Sequence, residues 1–113
     1  MKIYIAGPMT GRPELNFPAF FAAAKAFRSL GHEVANPAEI NPNPKTPWIQ
    51  CMRRDITQLV TCDQIYLLGG WDTSKGATLE YLIAFHLNLE IVMQEMEPTG
   101  QDLQTRAWTF LSQ

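Results

Sequence analysis

The chain opens Met1-Lys2-Ile3-Tyr4-Ile5-Ala6-Gly7-Pro8, and this stretch decides the fold class. Residues 3–6 form an apolar run with no polar alternation, cut off at once by Gly-Pro. A run of that length, apolar towards both faces, reads as a strand of a parallel sheet buried on both sides. Ile65-Tyr66-Leu67-Leu68-Gly69-Gly70 repeats the pattern, an apolar run stopped by a glycine turn. Between the two lie segments with helical spacing. Phe20, Ala23, Ala24, Phe27 and Leu30 recur every three or four residues, with Asn16 expected as N-cap, Pro18 in the first turn and Gly31 as the C-terminal stop. Residues 33–35 read as a short strand. Thr46-Pro47 is expected to open a second helix as N-cap and first residue, with Ile49, Met52, Ile56, Leu59 and Val60 as its apolar stripe. A third helix is expected over residues 76–88, a fourth strand over 89–93, and a terminal helix over 101–112 with Leu103, Trp108 and Leu111 facing inward.

Strands that alternate with helices predict right-handed crossovers and an α/β fold: a Rossmann-like or flavodoxin-like parallel sheet of about four strands with helices on both faces. The 113 residues are expected to form one domain over 1–113. The formal net charge of −2 supplies no basic face for duplex nucleic acid. A small anion is a different matter, because backbone amides at a helix start can hold one. No apolar run approaches the length of a membrane span, and the first residues enter a strand without an apolar leader, so a cytoplasmic protein is expected. Cys51 and Cys62 form no CxxC pair and lie far from His32 and His86, so neither a metal site nor a cofactor is expected. Buried free thiols fit these cysteines better.

Ligands of such sheets bind beyond the carboxyl ends of the strands. Two loops are expected there, residues 7–13 and residues 69–76. A third, residues 36–47, holds four Pro and three Asn, and loops of that length are often functional. The first loop spells neither a dinucleotide fingerprint nor a Walker A motif. Gly7 and Gly11 serve either turns or close approach to a ligand. Ser74-Lys75-Gly76 stands at the start of the third helix, as an anion cradle or simply as its cap. Glu80 follows one turn later. It has no capping-box partner, because residue 77 is Ala, so it is either an exposed helical Glu or a carboxylate facing a cleft. Asp55 follows Arg53 and Arg54 beside the apolar stripe, which suits a surface ion pair or a site residue. Tyr4 lies in a buried strand, where its hydroxyl needs a partner. Trp71 and Asp72 sit at a loop tip, and Trp71 has the ring to stack on a base.

Three segments occur in a telling order: Tyr-Ile-Ala-Gly at residues 4–7, Arg-Arg-Asp-Ile-x-x-Leu-x-x-x-Asp at 53–63, and Ser-x-Gly-x-x-x-Glu at 74–80. Together they resemble the nucleoside 2-deoxyribosyltransferase superfamily over about residues 2–93. That superfamily includes the 2′-deoxynucleoside 5′-monophosphate N-glycosidases and small phage and bacterial members of unassigned activity. The resemblance implies that Glu80 attacks C1′ of a deoxyribose, that Tyr4 orients it, and that Asp55 assists at sugar or base. It also implies that Ser74 and Gly76 hold a 5′-phosphate. Asp72 matches the general acid of the transferases, although it stands eight residues before Glu80, further than usual. The glycosidases carry an Arg where this chain has Thr10, and Arg12 stands nearby as a substitute. The implied partner is a small nucleoside or nucleotide, the implied assembly a homodimer or larger. The implied function is N-glycosidic cleavage or deoxyribosyl transfer. The alternative is a non-catalytic nucleotide-binding module, a sensor or sponge of phage or prophage origin. Tyr4, Asp55, Ser74, Gly76 and Glu80 are expected around one pocket.

Overall fold

A computed structural model describes residues 1–94. It contains four strands: β1 Lys2–Ala6, β2 Glu33–Ala35, β3 Gln64–Leu67 and β4 Glu90–Met93. Four helices connect or flank them: α1 Phe17–Ser29, α2 Pro37–Ile40, α3 Trp48–Leu59 and α4 Lys75–His86. The strands pair in the order β2-β1-β3-β4, and every pairing is parallel. Tyr4 stands opposite Ala35 on one side and Ile65 on the other, and Ile65 stands opposite Ile91. The parallel sheet expected from the apolar runs is thus the one observed.

Successive side chains of β1 divide between two cores, as the strand's two-residue period requires. Ile5 joins Phe20 and Ala24 of α1, with Ala38 and Leu68, on one face. Tyr4 and Ala6 join Leu59, Leu67, Ala77 and Ala84 on the other, beneath α3 and α4. Helices therefore cover both faces, which is why the strands carry no polar alternation. The chain turns to one side after β1 and to the other before β3, so a crevice opens between their carboxyl ends.

Four sequence expectations need correction. Asn16 makes no side-chain cap to α1. It closes a left-handed turn in which Glu14, Leu15 and Asn16 have φ of 53°, 54° and 60°, whereas a capping side chain reaches the first amides from β-region backbone. Leu30 lies beyond the end of α1 and is exposed. Helix α3 starts at Trp48 rather than Pro47, and the Thr46 hydroxyl donates to the Asn43 carbonyl instead of capping. Its buried face is Met52, Asp55 and Leu59, whereas Ile49 and Val60 face outward. A carboxylate thus sits on the buried face, at the position before the Ile56 that the pattern placed in the stripe. The helix expected over 101–112 lies outside the described residues.

Gly7 ends β1 where the chain runs against β3. Leu68 donates its amide to the Ala6 carbonyl at 2.8 Å, and a Cβ on Gly7 would lie 2.8 Å from Leu68 Cβ. Leu68 is itself in the core, so neither atom can retreat cheaply. Gly7→Ala is therefore expected to lower the stability by about 1–3 kcal/mol, read as a fall in the urea midpoint. An unchanged midpoint would mean that Leu68 repacks without cost.

Candidate active site

The crevice beyond β1 and β3 is a pocket with three walls. One is the segment after β1, with Gly7, Met9, Thr10, Leu15 and Phe17. The second is the connection from α2 to α3, with Asn41, Pro44, Thr46 and Trp48. The third is made by the facing flanks of α3 and α4, with Met52, Asp55, Ser74, Gly76, Ala77 and Glu80. The lining is apolar and aromatic apart from a few polar groups, the usual make-up of a small-molecule site. No Lys, Arg or His lines it among the described residues, whereas two carboxylates do.

Glu80 lies on the buried face of α4 and is 4% exposed. The Tyr4 hydroxyl, fully buried on β1, donates a hydrogen bond to Glu80 Oε2. Burial, reinforced by the nearby Glu80 and Asp55, raises the Tyr4 phenol well above its ordinary range, so it stays a donor. Asp55 is 6% exposed and accepts from Asn41 Nδ2 at 2.8 Å through Oδ1. Each carboxyl is thus held through one oxygen. The second oxygen of each has no partner among the described residues, and neither belongs to the unpartnered polar atoms sealed from solvent.

The other anticipated residues divide. Ser74 is the N-cap of α4, its Oγ accepting from the Ala77 amide at 3.2 Å, and it also lines the pocket. The hydroxyl hydrogen remains available to a ligand. Gly76 lets α4 approach α3, since a Cβ there would lie 3.1 Å from Met52 Sδ and 3.5 Å from Trp48 Nε1. Gly7 and Thr10 line the pocket as well. Arg12, Trp71 and Asp72 do not. Trp71 packs on Tyr81 with ring centroids 4.9 Å apart, against the core under α4, where its indole finds apolar cover. Asp72 is exposed in the turn Trp71–Thr73. The Arg12 guanidinium lies against Gly70, where a Cβ would come within 2.7 Å of Nη2.

Sequence reasoning passed over Asn41, Phe17 and Trp48 as site residues. The Pro- and Asn-rich loop was the available signal for Asn41. Trp48, with the Lys75 ammonium 4.4 Å above its ring, stands in line with Met52, Asp55 and Leu59 at the start of α3, and its spacing of seven from Asp55 was the available signal.

Residues 1–93 match the family described as Domain of unknown function (DUF4406). The chain belongs to that family. Among solved structures, the 2-deoxyribosyltransferase of the psychrotolerant bacterium Bacillus psychrosaccharolyticus superposes with a TM-score of 0.67 at 19% identity, covering 93% of this chain and 81% of that one. The DUF4406 chain therefore has a nucleoside 2-deoxyribosyltransferase-like fold, as the ordered motifs implied. No curated protein matches the sequence.

The two carboxyls of this DUF4406 domain share one electrostatic problem. Burial pushes Glu80 up to about 8, and the Tyr4 hydrogen bond only partly opposes it; the charge of Asp55 adds to the rise. Burial pushes Asp55 up to about 7 against the opposing hydrogen bond from Asn41. Near neutrality the pair holds on to protons that separate carboxylates in water would have lost. The sign for stability follows. Between the unfolded value near 4.5 and the folded value near 8, folded Glu80 binds more proton than unfolded Glu80. Its contribution is complete below the first value and is lost as pH rises through the second. Asp55 acts in the same sense between 3.8 and about 7. Glu80→Gln is therefore expected to stabilise the fold at pH 8.5 by on the order of 1–3 kcal/mol and to flatten the fall of Tm between pH 5 and pH 8.5. Calorimetry that shows equal slopes for both proteins would contradict this account of Glu80.

Proposed function

We propose that the protein cleaves, or transfers across, the N-glycosidic bond of 2′-deoxynucleosides or their 5′-monophosphates, with Glu80 as nucleophile. The observation that carries this reading is one arrangement: a buried Glu80 held by the Tyr4 hydroxyl and sharing an apolar pocket with a buried Asp55. The shared fold supports it, because the Bacillus psychrosaccharolyticus protein is a 2-deoxyribosyltransferase. Breaking a glycosidic bond builds positive charge on the sugar, and a pocket that offers an ionised Glu80 and, among the described residues, no cation favours that charge. In the step proposed, Glu80 first gives its proton to solvent and reacts as the carboxylate, its free oxygen bonding to C1′ as the C1′–N bond breaks. The electron pair leaves on the base nitrogen, which takes a proton from Asp55. Asp72 lies off the pocket lining, so the acid role falls to Asp55. Water, or a second base, then displaces Glu80 from C1′ and completes hydrolysis or transfer.

A 5′-phosphate has a place in this scheme at the start of α4. The first amides of a helix have no intrahelical acceptor, and Ser74, Gly76 and Ala77 border the pocket there. Assembly as a homodimer or larger belongs to the same reading and is supported by Leu79, Leu82 and Phe85, large apolar side chains exposed along α4.

The test is release of free base from deoxynucleosides and from their 5′-monophosphates. The monophosphate is expected to react faster, since binding of the remote phosphate positions C1′. Glu80→Ala is expected to lower kcat/KM by about three orders of magnitude or more, and Ser74→Ala to cut the preference for the monophosphate by roughly tenfold. If nucleotides bind without base release, and Glu80→Gln binds them equally well, a non-catalytic nucleotide-binding module replaces this reading.

A further inference from the structure

We propose that Asn41 is a positioning residue that makes Asp55 a one-sided acid, holding Oδ1 from behind so that the carboxyl proton is carried on Oδ2, the oxygen left free beside the pocket. The inference rests on the reading of Asp55 as the acid, and it adds a residue that no motif pointed to. Asn41 is as deeply buried as Asp55, each 6% exposed. Its orientation is settled by a third residue. Arg54 Nη1 donates to Asn41 Oδ1 at 3.4 Å, and a guanidinium has no acceptor. The amide oxygen must therefore face Arg54, and the NH2 must face Asp55, to which it donates at 2.8 Å. A flipped amide would set its NH2 against the guanidinium and its oxygen against the carboxylate, losing both bonds.

The consequence for the proton is chemical. In a protonated carboxyl the carbonyl oxygen is the stronger acceptor and the other oxygen carries the hydrogen. A donor fixed on Oδ1 makes Oδ1 the carbonyl oxygen and directs the hydrogen to Oδ2. Oδ2 has no partner among the described residues and is not sealed from solvent.

The local fold serves this delivery. Asn36 ends β2 and caps α2, its Oδ1 accepting from the Ala38 amide at 3.0 Å. The single turn of α2 then brings Asn41 back, its amide donating to the Pro37 carbonyl at 2.9 Å. The charged and titratable groups facing Asp55 are Glu80 on α4, Tyr4 on β1, and Cys51 with the adjacent Arg54 on α3. Asn41 itself carries no charge, so its removal changes a hydrogen bond and no charge.

The experiment follows the Asp55 carboxyl by 13C NMR titration of the intact chain, its signal assigned with Asp55→Asn, alongside the pH profile of base release. Asn41→Leu keeps the volume and removes the donor. It is expected to move the Asp55 midpoint upward by about one pH unit, to move the alkaline limb of kcat/KM in the same direction, and to lower kcat by more than tenfold with little change in KM. Arg54→Met alters an exposed side chain, so folding is not at issue, and frees the amide to turn. It is expected to move the midpoint in the same direction by a smaller amount. An Asp55 midpoint that stays put, or falls, in folded Asn41→Leu overturns the proposal. If Asn41→Leu does not fold, an unmoved midpoint in Arg54→Met overturns it alone. Wild-type protein that releases no base, while the NMR midpoint still moves as stated, would sink the glycosidic reading and leave the hold of Asn41 on Asp55 intact.

Discussion

A phenol at the centre of the sheet donates its hydrogen to a carboxyl on the fourth helix, and most of the architecture exists to let those two groups meet. Tyr4 and Glu80 are separated by 76 positions in sequence. Burying a carboxyl costs several kcal/mol unless it is hydrogen-bonded or neutralised. Here a single phenolic bond and a retained proton do that work. The contact needs β1 at the middle of the sheet, β3 beside it, and α4 laid across both with Gly76 and Ala77 close to α3. Small residues at those two positions allow the approach; a larger one at Gly76 would strike Met52.

The same logic runs through α3. Its buried face is completed by Asp55 where a leucine would pack. A domain this small surrenders stability by placing two ionisable groups in its interior, and such positions are where function is expected to override packing. Both groups are almost wholly buried, so each of the few hydrogen bonds that reach them counts for more than it would at the surface.

The sheet was legible because residues 3–6 and 65–68 are apolar on both faces and end in glycine, a pattern few other elements produce. Helix positions were legible, but their faces and ends less so. The stripe of α3 was misassigned because a periodicity search looks for apolar side chains and passes over a buried acid. Leu30 continued the spacing of α1 beyond the last helical residue. In the site, Tyr4, Asp55, Ser74, Gly76 and Glu80 were legible only as an ordered set of motifs. Trp71 and Asp72 looked equally eligible, since nothing local says which way a loop tip will face; the ring of Tyr81, ten residues on, draws Trp71 into the core. For Asn41 the only signal is the Pro- and Asn-rich loop around it, because a loop asparagine is ordinarily a turn residue. Its role exists only once α2 has folded it back onto α3.

The left-handed turn at Glu14, Leu15 and Asn16 has a consequence of handedness. In that region of backbone space an L-residue is disfavoured by about 1–2 kcal/mol, while its mirror image is at ease. Leu15 is part of the pocket wall, so one contact of the binding chamber is carried on backbone of the opposite hand to the helices around it. A chemically synthesised chain with a D-residue at position 14 would fit this wall better than the natural one does, whereas the same replacement anywhere in α1 would break the helix.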